Sequence, residues 1–517
     1  VSEARTSGSR SAAVVTVAIV LSRLVGLVRQ RVAAHYLGTS AVADIVAASF
    51  RIGNLAQNLL GEGTLSATFI PGYARLRGSG REDDARAFAM RALGALLLAV
   101  GSVTLLGVLG ARALTQALAA GFSGEKLSLT VEQVRLLFPM TGLLVVGAWA
   151  LGVLNSHREF FLPYAAPVLW SVAQIAAILV AGSLHVGEAG LARALALGAL
   201  LGAALVLVVL LRRARRFTGT LRPSFDFADP ELREAVRRFP SVLLGRGVIQ
   251  LSGLVDTLLV SFLGDSAVSA FNYAQTVYLL PMSILGTGEA AASLPEMAAE
   301  MGEGSRDARN ARLRERLAAS LERVTVLAIP VVVVLTLSGE ALVAVLFRTG
   351  RFDRDSVERV AAAVAVYGLA LLGNASGRLF ATTFYALGDT RTPARLALVR
   401  VAVSTALALT LMGPLGMAGV VAGAVAAAWV EASLLGRSLA SELDGLGLRA
   451  LPWRRLVLLA CATAAPALAA RRLLAGREST PLLALASLAT TGLVYVAAAA
   501  GLRLVDPTRL VRRLRRR

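Results

Sequence analysis

Apolar runs of about twenty residues recur along this chain from near Ser11 to near Leu504. A run of that length spans the hydrocarbon core of a bilayer as an α-helix, and a lipid-facing segment has few other ways to satisfy its backbone. Composition agrees, because 56% of the 517 residues are hydrophobic, more than the interior of a soluble domain accommodates. Breaks at charge or Gly/Pro clusters predict about fourteen helices, at 11–37, 41–76, 84–120, 130–156, 160–183, 188–214, 231–263, 267–300, 315–347, 355–386, 391–413, 416–441, 452–474 and 480–504. The expected class is an all-α polytopic membrane protein. The run from about Ser11 leads straight into further spans and reads as a first anchor, not as a cleaved signal.

The formal charge of +20 has to sit in the loops, where it fixes topology and meets anionic lipid. Arg5 and Arg10, Arg75 to Arg81, Arg212 to Arg216, Arg306 to Arg316, Arg391 and Arg395, Arg449 to Arg455 and the tail Arg512 to Arg517 fall on one side. The positive-inside rule makes that side, and both termini, cytoplasmic. Arg348, Arg351, Arg354, Arg471 and Arg472 run against the asymmetry. These clusters are short, border apolar spans and lack interleaved aromatics, so nucleic acid is not an expected partner. Cys461 alone cannot form an internal disulfide, and three histidines are too scattered for a metal cluster.

The chain also repeats itself. Gly38-Thr39-Ser40-Ala41-Val42-Ala43-Asp44, running on to Leu60-Gly61-Glu62-Gly63, is echoed by Gly264-Asp265-Ser266-Ala267-Val268-Ser269-Ala270, running on to Leu285-Gly286-Thr287-Gly288, at an offset of about 226 residues. Six expected helices intervene, an even number, so both copies enter the membrane in the same direction. The organisation expected is two parallel six-helix lobes, 1–216 and 217–441, around a central cavity, with two further helices and a basic tail in 442–517.

Charge within such spans is costly, about 2.5–3.5 kcal/mol for an arginine at the centre of a helix. The first span nevertheless contains Ser22-Arg23-Leu24-Val25-Gly26-Leu27-Val28-Arg29. Two guanidinium groups there call for an aqueous cavity or an anionic partner. Arg23 and Arg29 lie about 120° apart on a helix, and Gly26 between them removes a side chain over which their stems can converge. Snorkelling to the interface competes, and suits Arg29 and Arg31 better than Arg23. In the second span Asp44, Arg51, Asn58 and Glu62, at separations of seven, seven and four residues, fall within roughly 20–40° of one another. Val42, Val46, Phe50 and Leu60 take the opposite face. Asp44 and Arg51 either form a structural pair or line a polar cavity.

These residues resemble a known family. Ser22-Arg23-x-x-Gly26-x-x-Arg29, the Asp44 helix with Phe50-Arg51 and Asn54, Glu62-Gly63 and Phe69-Ile70-Pro71 look like the N-terminal signature of the MurJ/MviN lipid II flippases. Phe384-Tyr385-Ala386-Leu387-Gly388-Asp389-Thr390-Arg391-Thr392-Pro393 is similar to a second hallmark almost letter for letter. The resemblance covers essentially the whole chain. It implies the multidrug/oligosaccharidyl-lipid/polysaccharide exporter superfamily fold, the bacterial inner membrane, and lipid II, an undecaprenyl diphosphate bearing a disaccharide-pentapeptide, as substrate. Cell-wall synthesis proteins and membrane lipids are the further partners. Arg23, Arg29, Arg51 and Asn54 would hold the diphosphate head group, Asp44 and Glu62 would exchange for it as charge-pairing or gating groups, and the last two helices would form the tail groove. A guanidinium fork suits a diphosphate better than an ammonium does.

The chain departs from the pattern at Gln30, Gly53, Gln57 or Asn58, and Thr276, where the family has an acid, a proline and two basic residues. Arg246, Arg378 and Arg400 are the candidates to restore positive charge, with a helix-end role as the alternative for each. At the repeat offset Gln30 corresponds to Asp256, a carboxylate in an apolar run and a candidate for ion coupling, with pairing to Arg246 as the alternative. No nucleophile–base pair, phosphate loop or metal-ligand spacing stands out, so catalytic residues, metal ligands and cofactors are not expected. Dependence on membrane potential or a Na+ or H+ gradient is. The competing functions are flipping of another lipid-linked oligosaccharide, cation-coupled export, and a non-transporting cell-wall scaffold.

Overall fold

The computed structural model describes residues 2–299, 305–448, 451–474 and 481–504, with the side chains of 2–16, 62, 66, 67, 238, 241–249, 251, 283–296, 298, 299 and 474 left out. Eighteen helical segments and no strand occur among the described residues. Nine of the helices there are long and apolar enough to cross a membrane. The chain divides into two compact units, one comprising Val1–Ser269 with Thr349–Phe352, the other Ala270–Arg348 with Asp353–Arg517.

The first unit contains α1 (Ser2–Leu37), α2 (Ala41–Leu60), α3 (Glu62–Thr68), α4 (Ile70–Gly78), α5 (Glu82–Leu109), α6 (Ala111–Leu118), α7 (Gly124–Ser156), α8 (Phe161–Ala165), α9 (Pro167–Ser183), α10 (Gly187–Thr218) and α11 (Pro230–Ser261). From Leu136 to Leu154 α7 is almost wholly apolar on every face, and the helix is accordingly central, packed on α2, α5 and α10. Its Trp149 is fully buried and meets Phe69, which stacks in turn on Tyr73 and Phe88. α10 approaches α9 through Gly198 and Gly202, where an added Cβ would come within 2.7 Å of Ala177 and 2.8 Å of Trp170. Small residues at that spacing are how membrane helices bring backbones close. The contacts also bring α11, which follows the expected lobe boundary, against α2, α3, α5 and α6.

α12 (Ala267–Ala299) starts in the first unit and continues in the second, which also holds α13 (Arg306–Leu337), α14 (Gly339–Phe347), α15 (Arg354–Ala386), α16 (Arg391–Glu442), α17 (Trp453–Leu474) and α18 (Pro481–Gly501). α15 packs against α13 and α16, and α17 and α18 pack on α13 and α14. α16 folds back on itself after Pro414, at Gly416 with φ 56°, so the helix pair expected at 391–413 and 416–441 is a hairpin. Gly423 lets its two arms touch, since a Cβ there would stand 2.8 Å from the Ala408 nitrogen.

Several expected spans need correction. The helix placed at 41–76 is three pieces, because Gly61 is non-helical at ψ −149° and Phe69 interrupts again before Pro71. The polar face of α2 therefore ends at Asn58, and Glu62 opens a separate helix. Breaks at Gly110 and Ser338 divide the helices expected at 84–120 and 315–347 in the same way.

A candidate anion-binding wall

α1 lies along α8 and α9, and this contact decides the environment of Arg29. Its guanidinium carbon stands 4.6 Å from the centroid of the Trp170 ring, and Nη1 donates to Gln174 Oε1 at 3.4 Å. An arginine over an indole face is attracted by the ring quadrupole. Phe50 of α2 meets the same Trp170 edge-on at 6.4 Å. The half-buried Arg29 is thus engaged by α9 instead of reaching for the interface. Arg23, about two turns earlier, is exposed, and a Cβ added to Gly26 would meet nothing within 4 Å. The interval between the two arginines therefore opens on free space.

Arg51 projects from α2 toward α11. A Cβ added to Gly253 would come within 2.6 Å of Arg51 Nη2, so the guanidinium occupies room that the glycine leaves. About two turns along, Asn58 Nδ2 donates to Gln250 Oε1 at 3.3 Å. Asn54, between them, has a buried Oδ1 with no hydrogen-bond partner among the described residues. An unfilled buried acceptor costs about 1–3 kcal/mol, so Asn54 is equipped to receive an N–H or O–H, not to hold an anion by itself. Gly53 beside it admits α7: a Cβ there would be 2.9 Å from Leu137 Cβ, and its carbonyl accepts from Thr141 Oγ1 at 2.8 Å.

Asp44 does not face these arginines, contrary to the expected exchange. Its side chain is completely buried, and Oδ2 accepts from Lys126 Nζ and from the Ser266 amide, both at 2.8 Å. Oδ1 takes the Ser269 amide at 2.7 Å. Asp44 thereby caps the N-terminus of α12 from another helix, placing negative charge where unpaired N–H groups and the helix dipole favour it. It also holds Ser266 at φ 71°, a left-handed conformation that persists only where the surroundings impose it. Lys126 continues to Asp265 at 2.8 Å. The expectation overlooked Lys126, though the signal was there: it is the only lysine in a chain that otherwise uses arginine. A compact ammonium fits between two carboxylates where a planar fork does not. The Glu62 and Arg246 side chains lie outside the described residues.

Asp256 is buried on α11, one turn beyond Gly253, and is engaged. The Thr257 hydroxyl beside it donates to Gly253 O at 2.9 Å, and in the second unit the Asn374 amide donates to the Tyr278 hydroxyl at 2.7 Å. In the second unit Arg400 pairs with Glu431 at 2.9 Å. Thr276 is neutral and returns its hydroxyl to Asn272 O. The Gly388-Asp389 motif is a turn. Gly388 has φ +82°, and Asp389 Oδ1 accepts the amides of Arg391 and Thr392 at 2.8 and 3.0 Å. Hydrogen bonds from Thr392 hold the Asp389 carboxyl below its ordinary range.

The model of the family described as lipid II flippase MurJ matches residues 33–491. A probable lipid II flippase MurJ of Rhizobium meliloti is 31% identical over 422 residues, covering 80% of this chain and 77% of its own length. The lipid II flippase MurJ of Burkholderia cenocepacia is 32% identical over 381 residues, 73% of each chain. Among solved structures, a lipid II flippase MurJ in an inward closed conformation superposes with TM-score 0.75 at 18% identity, over 94% of this chain and 98% of that one. An inward-facing multidrug resistance MATE family transporter of the MOP superfamily gives 0.63 at 19% identity, over 80% and 95%.

Proposed function

The chain belongs to the lipid II flippase MurJ family, and we propose that it carries lipid II from the cytoplasmic to the outer leaflet of the bacterial inner membrane by alternating access. The match over residues 33–491 carries this reading. Arg23, Arg29 and Arg51 bind the diphosphate, with Arg29 steadied on Trp170 and Arg51 seated against Gly253. Asn54 takes a donor from the sugar or peptide. The transporter needs no cofactor, its termini are cytoplasmic, and cell-wall synthesis enzymes receive its product. A cation-coupled exporter shares the fold, but a wall of arginines in place of acids speaks for an anionic cargo.

Rescue of a cell whose lipid II flippase is repressed tests the reading. The chain restores growth, and Arg23→Ala or Arg51→Ala abolishes rescue at unchanged membrane abundance. Growth failure with well-expressed wild type sinks it in favour of another lipid-linked glycan. We assign ion coupling to Asp256, because a buried carboxylate within a span, one turn from the Arg51 contact, is the kind of group that marks an ion pathway or proton relay. Asp256→Asn then removes the stimulation of transport by an ion gradient in reconstituted vesicles. Equal stimulation of both proteins rules the assignment out.

A further inference from the structure

α15 presents two contrasting faces. At 100° per residue, Leu369, 53% exposed, lies about 180° from Arg378, and with Ala362, Ala365 and Leu372 it forms an apolar stripe suited to lipid. Tyr367, Asn374, Arg378 and Tyr385 occupy the other face, at separations of seven, four and seven residues, hence within about 40° of one another. Tyr278 of α12 closes on this face. Its ring stacks on Tyr367 at 4.9 Å and its hydroxyl accepts from the Asn374 amide.

Arg378 is exposed on that face, and its guanidinium makes no hydrogen bond or ion pair among the described residues. It stands within electrostatic reach of Tyr278, Arg400 and Glu431. The Glu431 carboxylate is already bound to Arg400, so two guanidinium groups share one acid. Counted along the helices at 1.5 Å per residue, Arg378 is about 12 Å before the end of α15 and Arg400 about 14 Å after the start of α16. Both sit well inside apolar helices, where an uncompensated arginine is expensive. The cluster is one anion short.

We propose that Arg378 is an anion subsite of the second unit that takes a phosphate of the transported lipid, with the Tyr278–Asn374 pair beside it for polar groups of the cargo. This rests on the lipid II reading above. A guanidinium fork donates two parallel N–H bonds to a phosphate, and because Glu431 is held by Arg400 the surplus charge of the cluster rests on Arg378.

The test is binding to the purified full chain in nanodiscs, with three probes: lipid II, undecaprenol, which has no phosphate, and phosphatidylglycerol. Arg378→Ala is expected to weaken lipid II binding about tenfold, or about 1.4 kcal/mol, and to leave the other two unchanged. Arg378→Lys, which keeps charge but not the fork, falls between. Unaltered lipid II binding by Arg378→Ala overturns the subsite while leaving the function standing. Equal weakening for undecaprenol overturns it in favour of a structural role, and equal weakening for phosphatidylglycerol in favour of a bulk-lipid site. Wild type that does not bind lipid II overturns both the subsite and the function it rests on.

Discussion

α2 and α15 each carry a polar stripe, yet the acids beside their arginines are committed in different ways. On α2 the acid is committed elsewhere: Asp44 is held by Lys126 and the α12 amides, while Arg51 lies against Gly253. Near α15 the acid stays, but it is saturated by Arg400, and Arg378 is the surplus. The number of arginines in a span therefore says little about anion affinity. What matters is which carboxylates are already committed to structure.

The largest expected effect tests that commitment. Asp44→Ala leaves a lysine ammonium that is 15% exposed without its buried partner, uncaps α12 and releases the strained Ser266. Breaking a buried, hydrogen-bonded pair costs about 3 kcal/mol or more. Glu431→Ala should cost less, because the Arg400 side chain is 32% exposed against 15% for Lys126 and Glu431 caps no helix. Melting temperatures of the two variants in one detergent measure the contrast. Equal losses would mean that both acids are structural and would dissolve the distinction between the stripes.

Much of this was legible in the sequence, and the limits have physical causes. Arg23, Arg29 and Arg51 stand out because charge in an apolar run is conspicuous, and helical periodicity places Arg51 and Asn58 on one face of α2, where both meet α11. Gly388-Asp389 reads as a turn because glycine tolerates positive φ. The partners were not legible. Trp170 under Arg29 and Lys126 on Asp44 are set by how α9 and α7 pack against α1 and α2, and no local pattern encodes such pairings. The break at Gly61 was hidden because a lone glycine is tolerated inside a helix as often as it ends one. Asp44 itself was singled out for the wrong task, since its sequence neighbours do not reveal the amides of Ser266 and Ser269.

A smaller effect separates the two arginines. Arg51 is fitted against a glycine, so Gly253→Ala forces a guanidinium shift of the order of 1 Å and is expected to lower lipid II transport about tenfold with little change in stability. Arg378 faces no such fitted contact, and Asn374→Ala beside it should lower transport less. Flux in reconstituted vesicles distinguishes them. A Gly253→Ala protein with wild-type flux would show that Arg51 needs no fixed seat.

The smallest effect concerns how the two stripes are anchored to their turns. α2 is capped by a hydroxyl, Ser40 Oγ accepting from the Ala43 amide at 3.1 Å, and that cap does not titrate. The turn between α15 and α16 is capped by the Asp389 carboxylate, whose pKa is depressed below the ordinary 3.8 by hydrogen bonds from Thr392. A carboxyl depressed by folding contributes its full stabilisation above the unfolded value and loses it as pH falls through the folded one. Hydrogen exchange at the Arg391 and Thr392 amides should therefore stay protected down to about pH 4 and weaken below it. Protection at Ala43 should follow only the intrinsic chemistry of exchange. Asp389→Asn keeps an acceptor oxygen without a proton equilibrium, so its protection should lose this acid step. An acid step that survives in Asp389→Asn would place the titrating group elsewhere and make the two turns alike.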